Sequence, residues 1–136
     1  MEPSINLLYV TKQDGVQPIM ILDPSRKSVD IKVNIQFYGI SSGTHTVSID
    51  LQNENNESIL DKGPVKSEID YDKSVQKMKQ DINYESDDED NIELIGLFNI
   101  SFNLNNDDLT KSRHIIVSGR MDDSSEKTTI IFLRKG

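Results

Sequence analysis

Two histidines, His45 and His114, are the whole imidazole supply of this 136-residue chain. Each stands at the start of a run of alternating apolar residues. A half-exposed structural imidazole is expected there, rather than a general base. Cysteine is absent, which removes disulfides, thiolate metal sites and cysteine nucleophiles together. No Gly-x-Ser-x-Gly elbow occurs, and the seven glycines form neither a Walker-type loop nor a dinucleotide fingerprint. The carboxylates of Asp50, Asp107 and Asp122 are dispersed along the chain and would make an acid/base site only if the fold brought them together. The expectation is a chain with no catalytic residue, no cofactor and no metal centre.

One cluster has a sharper chemical meaning. Residues 81–93 hold Asp81, Glu85, Asp87, Asp88, Glu89, Asp90 and Glu93 with no Lys or Arg, which is seven of the eight net negative charges. An EF-hand loop counted from Asp87 would need glycine and glutamate where Ile92 and Phe98 stand, so the stretch is not such a calcium site. Spaced carboxylates could instead occupy a basic groove in place of a nucleic-acid backbone. The simplest reading is a solvated loop that keeps a sheet edge soluble. Glu85, Asp87, Asp88, Glu89, Asp90 and Glu93 are therefore the candidate partner-binding residues. The basic residues Arg113, Arg120, Arg134 and Lys135 are scattered and tryptophan is missing, so direct nucleic-acid binding is not expected.

The elements that would carry these residues are strands. Alanine is absent, whereas isoleucine occurs 17 times and asparagine 11 times, a usage that disfavours helices and would suit an AT-rich genome such as that of a low-GC bacterium or its phage. Period-two alternation is clearest at residues 29–40, where Val29, Ile31, Val33, Ile35 and Phe37 share one face. A second run, Val47, Ile49 and Leu51, follows the Ser41-Ser42-Gly43-Thr44 turn, and a hairpin between the two is expected. Phe98, Ile100, Phe102 and Leu104 predict a central strand ending at a turn over Asn105–Asp108. A last hairpin joins residues 113–120 to 127–134 through Asp122–Ser125, with Ile115, Val117, Ile130 and Phe132 as core candidates. Further strands are expected at residues 5–10, 17–22 and 57–69. Tyr71, Val75, Met78 and Ile82 have helical spacing, with Asp72 as a possible cap, and predict a short helix packing over one end of the sheets.

These runs give an all-β, two-sheet antiparallel sandwich of about seven or eight strands, one domain over residues 1–136 with a helical and acidic insertion at about 70–93. Through Ile5–Val10, Gly43–Leu51 and Phe102–Leu104 the chain resembles small bacterial and phage-borne β-sandwich domains of immunoglobulin-like type. That resemblance covers most of the chain outside residues 70–93. It implies the fold and no enzymatic role, and it transfers no functional residues.

No apolar run approaches the length of a membrane span and the amino terminus lacks a signal pattern, so a cytoplasmic location and no membrane partner are expected. The sequons Asn56-Glu57-Ser58 and Asn99-Ile100-Ser101 would matter only on a secretory route. The leading functional expectation is a non-catalytic module binding another protein through sheet edges or through residues 70–93, with homo-oligomerisation open. The alternative is an acidic inhibitor of a nucleic-acid-handling enzyme. An enzyme built on dispersed carboxylates is third.

Overall fold

A computed structural model describes residues 4–23, 27–40, 43–73 and 94–134. In chain order the described strands are β1 (Ser4–Lys12), β2 (Ile21–Leu22), β3 (Ser28–Ile40), β4 (Thr44–Gln52), β5 (Val65–Asp70), β6 (Leu94–Asn105), β7 (His114–Met121) and β8 (Lys127–Leu133), and a short helix α1 (Asn106–Thr110) follows β6. They form two sheets, one ordered β1-β3-β6 and the other β2-β8-β7-β4-β5. All pairings are antiparallel except β2 with β8, a parallel contact of two residues. The all-β sandwich is the architecture the alternation predicts.

Its core lies between the sheets. Ile31, Val33, Ile35 and Phe37 of β3 are buried in one core with Val47, Ile49 and Leu51 of β4 and Ile115, Val117 and Met121 of β7. Each such side chain contributes about 1.5–3 kcal/mol on burial. Gly119 on β7 lets two isoleucines approach: a Cβ there would meet Ile5 Cδ1 at 3.2 Å and Ile35 Cδ1 at 3.4 Å. Tyr71 and Leu109, both fully buried, plug the core from outside the strands.

Several expectations are corrected. β3 and β4 do not form a hairpin, because they belong to different sheets. Gly39 and Gly43 take positive φ of 77° and 106° at the crossing, a conformation glycine adopts without steric cost. Alternation fixes which face of a strand is buried and says nothing about its neighbour. Among the described residues β6 is an edge strand rather than a central one, and the expected turn over Asn105–Asp108 is the start of α1.

The expected strand at 17–22 shrinks to the two residues of β2, and that at 57–69 becomes β5, beginning at Val65. In β8 the inward residues are Ile131 and Leu133, whereas Ile130 and Phe132 are 45% and 57% exposed. The run Ile130-Ile131-Phe132-Leu133 is apolar on both faces, so its phase cannot be read from alternation. A helical turn does begin at Tyr71, but Asp70 caps it, its Oδ1 accepting from the Lys73 amide at 3.1 Å. The rest of that expected helix, with Val75, Met78 and Ile82, lies outside the described residues.

Candidate interaction edge

The residues with chemical potential are held in structural roles. His45 is buried rather than half-exposed, because it lies on the inward face of β4. Its Nδ1 lies 2.7 Å from Asp122 Oδ2, and as donor to a carboxylate it carries the proton. Asp122 also accepts from the Thr46 amide at 2.7 Å and donates its own amide to the Thr46 carbonyl at 2.7 Å. With φ of 50° in the β7–β8 turn, Asp122 takes a left-handed position that Asp tolerates better than most residues. The result is a latch from the end of β7 to the start of β4. His114 is half-buried, its ring edge-on to Phe132 at a centroid distance of 6.2 Å.

Asp50 is a second hub. Buried on the outer side of β4, it accepts from the Leu51 amide (2.9 Å), Gln52 Nε2 (3.1 Å) and Ser58 Oγ (2.7 Å), pinning the turn after β4. Asp50 and Asp122 line one shallow hollow of about 390 Å³ with Lys66 and Arg120, while Asp107 lies apart, exposed in the first turn of α1. The three dispersed carboxylates therefore do not converge. Among the described residues no three His, Asp or Glu groups gather at metal-binding distance. The acidic candidates Glu85, Asp87, Asp88, Glu89, Asp90 and Glu93 lie outside the described residues.

What remains is the way the sheets end. A strand edge carries a row of unpaired amides and carbonyls, and folded proteins blunt it with charge, proline, shortness or a covering segment. β5 follows Pro64 and exposes Lys66 and Glu68. The β8 edge is crossed by β2, with Phe132 and Arg134 amides donating to Met20 and Leu22 carbonyls at 2.8 Å. β1 is covered at Val10, whose carbonyl accepts from the Ile19 amide at 2.8 Å. β6 has none of these devices: from Leu94 to Asn105 it holds no charged residue and no proline, and among the described residues no strand pairs with its outer side.

The inward face of β6 is also incompletely covered. Phe102, Ile100 and Phe98 stand opposite Ile31, Val33 and Ile35, yet they are only half-buried while those partners are sealed. Beside them the sandwich is open between β6 and β5, as a groove of about 490 Å³ lined by Phe37, Leu97 and Phe98 on one side and Thr44, Glu68, Ile69, Asp70 and Lys73 on the other. Leu97, on the outer face, is 72% exposed. The signal for this edge was present in the sequence as an uncharged stretch, but a strand's uncharged character also fits a central position.

No known family's sequence profile matches the chain, and no curated protein matches it either. Among solved structures the fold is similar to a bacterial adhesin from Mobiluncus mulieris containing intramolecular disulfide, isopeptide and ester bond cross-links. In one crystal form of that adhesin the match has a TM-score of 0.59 at 13% identity and covers 100% of this chain and 59% of the adhesin. In a second form the TM-score is 0.52, again at 13% identity, with 51% of the adhesin covered. The chain thus spans little more than half of the structures it matches. The likeness is one of fold, and the disulfide has no counterpart in a chain without cysteine.

Proposed function

We propose that this domain is a non-catalytic interaction module that engages another protein by strand addition along β6. The observation that carries this reading is the β6 edge, twelve residues long, uncharged and unpaired among the described residues, beside a groove that Phe37, Ile69, Leu97 and Phe98 line together with Thr44, Glu68, Asp70 and Lys73. An added strand would gain main-chain hydrogen bonds from the edge and side-chain pockets from the groove, as in β-augmentation. The fold shared with a bacterial adhesin supports a binding role. The structural employment of His45, Asp50 and Asp122 supports the absence of catalysis.

Selection of displayed random peptides against the immobilised domain tests the reading. The expected binders are extended sequences with apolar residues at alternate positions, and their binding falls when Asn99→Lys and Ser101→Lys are introduced together on the exposed side of β6. Binders indifferent to these changes would place recognition elsewhere. The acidic stretch supports a separate, electrostatic reading, carried by the concentration of net charge in residues 81–93. Replacing its carboxylates with Asn and Gln should then weaken binding to a cationic partner at low salt.

A further inference from the structure

We infer that the strand added to β6 is β6 of a second copy of this chain, paired antiparallel about a two-fold axis through Ile100. This rests on the reading of β6 as a docking edge and names its occupant. From Phe98 to Phe102 the strand reads Phe-Asn-Ile-Ser-Phe, the same order of apolar and polar types in either direction. An antiparallel copy centred on Ile100 therefore sets Phe98 against Phe102, Ile100 against Ile100 and Asn99 against Ser101. Apolar residues meet on the groove side, and neutral polar residues meet on the outer side. No charge occurs anywhere along β6, so antiparallel self-pairing sets no like charges opposite one another along the strand.

The hydrogen-bonding phase agrees. The Asn106 amide donates to the Lys27 carbonyl at 3.0 Å, and in an antiparallel ladder this parity turns even-numbered residues of β6 toward β3 and odd-numbered ones outward. Asn99 and Ser101 both present their backbone groups to the free edge, so they can exchange both bonds across the two-fold. Ile100 then meets its copy in the closer, non-hydrogen-bonded type of pair. Such an interface is isologous and closes at two subunits. It extends the three-stranded sheet continuously into its copy and covers the exposed halves of Phe98, Ile100 and Phe102.

Sedimentation equilibrium of the intact chain across micromolar to millimolar concentration tests this, with circular dichroism of each variant as the check on folding. The expected result is a reversible dimer. Asn99→Lys with Ser101→Lys places two like-charge pairs across the axis and should weaken the dimer about tenfold or more. Asn99→Lys with Ser101→Glu places opposite charges in the same two contacts and should restore it.

Cysteine substitution provides a second readout in this cysteine-free chain. Ile100→Cys should form an intermolecular disulfide on mild oxidation. Asn103→Cys should not, since its copy would lie about 20 Å away at roughly 3.4 Å per residue. A monomer at every concentration, a dimer indifferent to the lysine pair, or equal cross-linking at both cysteines would each overturn the inference. If the chain is monomeric while selected peptides still lose binding on the lysine pair, the self-pairing fails and the docking edge stands.

Discussion

β3 and β6 are neighbours in one sheet, paired from Ser28 opposite Asn105 to Ile40 opposite Leu94 with a single irregularity, and both alternate apolar and polar residues. Their environments differ all the same. The inward residues of β3 from Ile31 to Phe37 are buried between β1, β6 and the facing sheet, whereas Phe98, Ile100 and Phe102 of β6 have no strand on their other side among the described residues and stay half-exposed. Alternation reports which face of a strand turns inward. How completely that face is covered depends on the strand's place in the sheet, which no single strand encodes.

The contrast can be measured. The largest effect is expected at Ile35→Ala, in the sealed middle of β3, at about 2–5 kcal/mol by denaturant titration. A loss below about 0.5 would mean that β3 is not the centre of the core. Next comes Asp122→Ala, which leaves the Nδ1 proton of His45 and the Thr46 amide without their acceptor and should cost about 1–3 kcal/mol. Asp122→Asn keeps one oxygen for the amide and should recover part of it.

Ile100→Ala, opposite Val33 in the same register, should cost well under what Ile35→Ala costs in dilute solution, and the gap should narrow as concentration rises if the dimer forms. An equal loss at all concentrations would erase the distinction between the strands. Gly119→Ala should destabilise by about 1 kcal/mol, because the new methyl meets only the ends of Ile5 and Ile35. Combined with Ile35→Val the two costs should sum to less than additive. Leu97→Ser, on the exposed outer face, should stay within about 0.5 kcal/mol.

The fold was legible wherever one face alone is apolar. β3, β4 and the β7–β8 hairpin lie within a residue or two of where alternation puts them, and the buried Ile31, Val33, Ile35, Val47, Ile49, Leu51, Ile115 and Val117 are the residues the pattern selects. It failed at β8, where both faces are apolar, and at β2, whose two residues are too few to show a period. Sheet membership was illegible, since the step from β3 to β4 looks the same in sequence whether the chain folds back or crosses over. The candidate site depended on that missing information: nothing within Leu94–Asn105 says that one side of the strand is free. The His45–Asp122 latch was hidden for a related reason, as its partners are far apart in sequence and meet only because β4 pairs with β7.

The crossing also orders events in time. β3 and β6 pair across everything from residue 41 to residue 93, a span that already contains β4 and β5. β7 and β8, by contrast, are joined by residues 122–126 alone. Closing the longer span has the larger entropic penalty, and its contacts repay that penalty only once most of the span is in place. By that measure the β7–β8 hairpin is the earliest pairing to expect, and the β3–β6 ladder is among the late ones, with β4–β7, whose intervening span of residues 53–113 is longer still. During refolding the uncharged β6 is therefore still without its partner when the β7–β8 hairpin closes, and higher chain concentration should lower refolding yield.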